Sequence, residues 1–150
     1  RFAIKPLGDY TRTLAERAHV GDVVTVEGPY GRFDFGDVAE DQVWIAGGIG
    51  IAPFVARLEA LAAAGGARGR IHFFYSVKDA VDASFPDGLE ALCERAGVEL
   101  HRNIDTVDGL IDVNDIAHFV SNARGVWFCG PTRWAKVLKS GLQERCGLLA

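Results

Sequence analysis

The sequence predicts an α/β domain built on a doubly wound parallel sheet, and three observations predict it. Beyond residue 40, apolar runs and helical patterns alternate in pairs along the chain. Such alternation specifies parallel strands with helices on both faces. Two of the runs, Val43-Trp-Ile-Ala46 and Val126-Trp-Phe-Cys129, are continuously apolar instead of alternating, as strands buried on both sides are. The first of them leads directly into a glycine-rich turn that opens a helix.

Taken in order, the chain starts with Phe2-Ala-Ile-Lys5, which reads as a short strand, followed by a short helix over 11–19 and a second strand, Val23-Val-Thr-Val-Glu27. These three elements are too few to make a domain. The glycine-rich, aromatic segment from Gly28 to Gly36 then gives way to acidic residues, and this change of pattern places a domain boundary at residue 38. After it come a strand over 43–46, a helix over 52–64, a strand over 71–77 and a helix over 86–96. A strand over 98–103, a short helix over 112–120, a strand over 126–129 and a helix over 132–145 complete the series. In the first of these helices Leu58, Leu61 and Ala62 recur at helical spacing and give it one apolar face for the sheet.

Composition limits the functional classes. The 150 residues are 49% hydrophobic and 24% charged, proportions that support a packed core without a metal or a disulfide. A formal net charge of -4 argues against nucleic acid as a partner, because phosphate tracking relies on clustered Lys and Arg. Cys93, Cys129 and Cys146 are widely separated and form no C-x-x-C pair, which fits a reducing, cytoplasmic compartment. The most apolar stretch, residues 43–67, contains Arg57, Glu59 and five glycines, so it reads as a buried strand plus a helix and not as a membrane span. The chain has no Met and opens on no basic-apolar signal region, and is expected to be an excerpt of something longer.

The strongest chemical signal is Ala46-Gly-Gly-Ile-Gly-Ile-Ala-Pro-Phe54. Gly47, Gly48 and Gly50 permit a tight turn and a close backbone approach. The amides around Ile49 and Ile51 start a helix, where N–H groups lack intrahelical partners and the helix dipole favours a phosphate or pyrophosphate. Pro53 suits the first helical turn, where its missing N–H costs nothing. The bland alternative is a tight turn that binds nothing. A second signal is Cys129-Gly130-Pro131 at the end of the last strand; in an open parallel sheet both turns would line the crevice beyond the carboxyl ends of the strands.

The third signal is the end of the second strand, where doubly wound folds read the ribose of an adenine nucleotide. Ser76 and Lys78 lean toward a 2′-phosphate there, and Asp79 leans toward a free hydroxyl. Near the N-terminus, Gly8, Tyr10 and Thr11 open the short helix; Thr11 either caps it or, with neighbouring N–H groups, meets a second phosphate. His19, His72, His101 and His118 show neither triad nor metal spacing. No chemistry is assigned to them, and no metal site is expected.

In this order the segments resemble the ferredoxin-NADP reductase superfamily, and most closely its ferric-reductase-like flavoprotein branch. Residues 2–14 are similar to the flavin-pyrophosphate segment of that family, which would make Gly8, Tyr10 and Thr11 neighbours of FAD. Glu27-Gly-Pro-Tyr-Gly-Arg-Phe33 is similar to the segment that closes the flavin barrel. Gly48-Ile-Gly-Ile-Ala-Pro-Phe54 resembles the nicotinamide-nucleotide pyrophosphate loop, and Cys129-Gly-Pro131 resembles the strand end whose cysteine lies beside the nicotinamide ring. Ile49 stands where many relatives have Thr, which removes one side-chain donor to the pyrophosphate.

The resemblance implies that residues 1–38 are the last part of an antiparallel β-barrel FAD domain and that residues 39–150 are an NAD(P)-binding domain without its last strand. It implies FAD and NAD(P)H as cofactors, hydride transfer from one to the other, and electrons passed to an acceptor such as ferric iron or haem. Cys129 would orient the nicotinamide, not act as a nucleophile. The expected partner is an electron-accepting protein or domain, a membrane haem domain among the candidates, met at the cytoplasmic side. The isolated chain is expected to be inactive in turnover, because the family's Arg-x-Tyr-Ser/Thr flavin motif and C-terminal strand are absent from it. The rival reading is an α/β module that senses a nucleotide without redox chemistry.

Overall fold

The computed structural model describes residues 2, 4–28, 33–36, 39–83 and 88–147. Four strands form one sheet: β1 (Gln42–Gly47), β2 (Ile71–Val77), β3 (Val98–Ile104) and β4 (Gly125–Cys129). All pairings are parallel and the spatial order is β3-β2-β1-β4. The chain thus moves outward from β1 through β2 to β3, then crosses back to place β4 on the other side of β1. This reversal is the topological switch point at which doubly wound folds open a crevice.

Register and alternation sort the side chains into two cores. Gln42 lies opposite Ile71 and Gly125, and Ala46 lies opposite Tyr75 and Cys129. Trp44, Phe73 and Tyr75 therefore share one face, where they pack with Phe54, Leu58 and Leu61 of α3 (Ala52–Ala63) and with Leu89, Cys93 and Ala96 of α4 (Leu89–Ala96). Val43, Ile45 and Phe74 share the opposite face. They pack against Ile116 and Val120 of α6 (Val113–Val120) and Leu138 and Leu142 of α7 (Thr132–Cys146). Apolar residues three or four apart on each helix meet a two-residue repeat on each strand, which is why the helices settle on both faces. Full burial of each large side chain contributes roughly 1.5–3 kcal/mol.

The segment 33–36 packs on this unit. Phe35 is buried beside Trp44, Phe54 and Trp127. Its carbonyl accepts from Gln42 Nε2 at 2.8 Å, while Gln42 Oε1 accepts from Trp44 Nε1 at 2.8 Å. This buried amide has both ends satisfied, as burial of a polar group requires. Just outside the sheet, Asp41 accepts from the backbone and guanidinium of Arg70, which ties the approach to β1 to that of β2 and holds the Asp41 carboxyl below its usual range.

The N-terminal elements differ from the sequence expectation. Among the described residues neither 2 and 4–5 nor 23–27 is in a strand; a strand needs a neighbour for its N–H and C=O groups, and the four strands of the sheet pair with one another. The helix expected over 11–19 is instead two single turns, α1 (Asp9–Arg12) and α2 (Leu14–Arg17). They meet at Thr13, whose hydroxyl donates to the carbonyls of Asp9 and Tyr10. Neither turn buries a residue. Residues 29–32, most of the expected barrel-closing segment, lie outside the described residues, as do the boundary at 37–38 and the first residues of the helix expected over 86–96. A short helix, α5 (Asp105–Asp108), and 3-10 turns at Gly48–Ile51 and Ala80–Asp82 complete the elements among the described residues.

Candidate functional site

The glycine turn sits at the carboxyl end of β1, as a 3-10 turn running directly into α3. Its three glycines have different jobs. Gly48 has φ +54°, the left-handed region, and a Cβ there would meet nothing within 4 Å. It faces open space. A Cβ on Gly50 would lie 2.2 Å from the carbonyl oxygen of Cys129, and one on Gly47 would lie 2.8 Å from Cδ of Pro131. These two positions admit no side chain because the turn after β4 packs straight onto the turn after β1.

Ile51 is fully buried and anchors the turn in the core, whereas Ile49 is 41% exposed. Pro53 occupies the first turn of α3. The 3-10 turn ahead of α3 supplies an acceptor for Ala52, whose N–H donates to the Ile49 carbonyl, so the N–H groups without helical acceptors are those at the start of the turn, beside the open side of Gly48. Backbone donors at the start of such a run are suited to a diphosphate.

Cys129 ends β4 opposite Ala46. Gly130 approaches Gly47 so closely that a Cβ on it would lie 3.1 Å from the Gly47 amide nitrogen. Pro131 starts α7. Burial pushes the Cys129 thiol above its ordinary pKa, so at neutral pH it is a protonated, half-buried thiol and not a thiolate. It can contact or orient a ligand but is poorly suited to attack one.

The end of β2 holds a network that the sequence did not reveal. Ser76 is buried and its hydroxyl donates to Asp105 Oδ1 at 2.6 Å. Asn103 Nδ2 donates to the same oxygen at 2.9 Å and to the Gly109 carbonyl at 2.9 Å. Lys78 is exposed and Asp79 half-buried. Asp105 was missed because only the pairing of β2 with β3, residues nearly thirty apart, brings it to Ser76.

At the N-terminus the capping role of Thr11 is the one observed, in a modified form. Gly8, not Thr11, is the N-cap of α1, and Thr11 reaches back so that its Oγ1 accepts from the Leu7 and Gly8 amides at 3.0 Å each. Tyr10 is exposed and lies under the guanidinium of Arg17. The Leu7 and Gly8 amides are thus satisfied locally.

No protein-family model matches the chain. Similarity to individual proteins is clear. Over 90 residues the chain is 38% identical to the toluate 1,2-dioxygenase electron transfer component of Pseudomonas putida, covering 60% of this chain and 26% of that protein. The cytochrome b5 reductase domain of Ulva prolifera nitrate reductase superposes with a TM-score of 0.77 at 24% identity, over 95% of this chain and 61% of that one. Flavohemoglobin from Malassezia yamatoensis, solved with bound FAD and heme, superposes with a TM-score of 0.72 at 25% identity, over 97% of this chain and 39% of its own.

The homologues are ferredoxin-NADP reductase-like oxidoreductases that bind FAD and NAD. The parallel sheet with its two layers of helices is the reductase-like fold the sequence predicts. The chain spans a minor part of the length of the curated relatives it matches, 26% in the case of the Pseudomonas protein. Among the described residues no helix is long and apolar enough to cross a membrane.

Proposed function

We propose that this chain is the nicotinamide-nucleotide-binding part of a flavin-dependent oxidoreductase that passes hydride from NAD(P)H to FAD and electrons onward to an acceptor. The observation that carries this reading is the contact of two strand-to-helix turns at the switch point, with Gly48 open to solvent between them. A structural turn has no need for an open, left-handed glycine at the start of a helical run beyond the carboxyl end of a strand.

Each residue then has a physical task. Amides from Gly48 to Ile51 hold the pyrophosphate, Gly47 and Gly50 let the β4 turn close against them, and Pro53 fixes the helix start. Cys129, Gly130 and Pro131 form the neighbouring wall, where the protonated thiol orients the nicotinamide by contact. When bound, the nicotinamide supplies the hydride, and the chain contributes position and electrostatics. FAD would be held largely by residues other than those described, with Gly8, Tyr10 and Thr11 contributing once Thr11 releases its amides. On this reading residues 1–38 belong to the flavin domain and 39–150 to the nucleotide domain. The acceptor is a haem, ferric iron or oxygenase component, reached from the cytoplasm.

NADH is favoured over NADPH by the pairing of Ser76 with Asp105. With its hydroxyl committed to a carboxylate, Ser76 presents a negative neighbour that suits a ribose hydroxyl and repels a 2′-phosphate. The lone exposed Lys78 offers a weak counterweight.

Equilibrium titration of the chain with NADH, NADPH and ATP tests the assignment. It should bind NADH in preference to ATP, and no discrimination between them would favour a nucleotide sensor without redox chemistry. Equal binding of NADPH would remove the specificity argument and leave the rest standing.

A further inference from the structure

The amino end of the β2–β3 pair carries a second cluster, far from the nucleotide turn. His72 is opposite Glu99 in the parallel register and Phe74 is opposite His101, so these four side chains share the sheet face covered by α6. His72 Nδ1 lies 3.2 Å from His101 Nε2 and 3.2 Å from Glu99 Oε2, and His101 Nε2 lies 3.5 Å from Glu99 Oε1. The rings are held in place: Phe74 stacks on His101 at 4.4 Å between centroids, and Phe119 of α6 lies 4.5 Å from His72.

Three ligand atoms about a tetrahedral zinc ion at its usual bond lengths stand roughly 3.3–3.4 Å apart. The two imidazole nitrogens stand at about that edge length, each has a Glu99 oxygen within 3.5 Å, and one ligand atom from each residue lies within 4.8 Å of the other two. Two imidazoles and a carboxylate are a donor set for zinc or a similar borderline divalent ion. The imidazoles are largely shielded, while the Glu99 side chain is 63% exposed, which leaves a route in and a fourth position for water. A proton shared by the two rings would explain one contact, but not the convergence of all three groups.

We propose that His72, Glu99 and His101 form a divalent metal site of the zinc class, completed by water. The ion would pin the edge strand β3 to β2 beneath α6. The site is about four residues along β2 from Ser76, roughly 13 Å at strand rise, so its role is to stabilise the sheet and not to touch the nucleotide. An ion bound only by the folded chain raises stability by mass action.

The test is titration of chelator-treated protein with zinc, read by calorimetry and thermal melting, with cobalt as a spectroscopic substitute. The expected result is one ion per chain at micromolar affinity or tighter, a raised Tm, and a tetrahedral cobalt spectrum without a thiolate charge-transfer band. His72→Gln and His101→Gln should each weaken binding at least tenfold while leaving NADH affinity unchanged. Circular dichroism checks their folding, and Glu99→Gln, on a mostly exposed side chain, supplies the comparison if either misfolds. Absent binding, binding unchanged in these variants, or a thiolate band pointing to the cysteines would overturn the proposal.

Discussion

At the scale of single residues, Gly48 and Gly50 look equivalent in sequence but answer to different constraints. Valine at 48 would sit in open space with a left-handed backbone, a strain of about 1–2 kcal/mol, and would fill the place proposed for the diphosphate. Gly48→Val should therefore weaken NADH binding at least tenfold while the chain still folds. Gly50→Val places carbon against the Cys129 carbonyl and should cost about 3 kcal/mol of stability, the upper end for overpacking. Paired binding and chemical-denaturation curves separate the two outcomes.

Asp105 gives a second test at this scale. Asp105→Asn keeps an acceptor for Ser76 but removes the charge facing the ribose, so the ratio of NADPH to NADH affinity should rise several-fold. An unchanged ratio would mean that the carboxylate does not face the 2′ position. The glycines, Cys129 and Ser76 could be picked out from the sequence because each belongs to a short contiguous pattern. Asp105 and the His72–Glu99–His101 cluster could not, since strand register sets those proximities and no local spacing encodes it.

Among elements, the strands and helices after residue 40 were legible because their apolar spacing reports the same burial that stabilises them. Each expected strand lies within a residue of the observed one, and α7, expected over 132–145, ends one residue later. The N-terminal strands were misread for a physical reason: alternation marks a segment able to pair, but pairing also needs a partner strand. The turn at Ala80–Asp82 and the helix α5 lacked any apolar period to announce them. The α6–α7 contact shows a constraint beyond propensity. A Cβ on Gly141, in the middle of α7, would lie 2.4 Å from Val113 Cγ2. Gly141→Ala should raise intrinsic helix propensity by about 1 kcal/mol, yet lower the Tm, because the stiff, β-branched Val113 must give way. A higher Tm would show that α6 shifts at little cost.

For the molecule as a whole, alternation predicts a parallel sheet but not its strand order. The order β3-β2-β1-β4 emerges only in three dimensions, and it is this order that brings the turns at Gly48 and Gly130 to one crevice. The fold and the relationship to FAD- and NAD-binding reductases agree with the sequence reading. The central physical claim is that the crevice binds a dinucleotide, with backbone amides of the Gly48 turn on its diphosphate and the Cys129 turn as the neighbouring wall. Amide chemical-shift mapping by NMR as NAD⁺ is added tests it most directly. The largest changes should fall at residues 48–51 and 129–132, with smaller ones near Ser76. Changes confined to other surfaces, or none at saturating nucleotide, would contradict it.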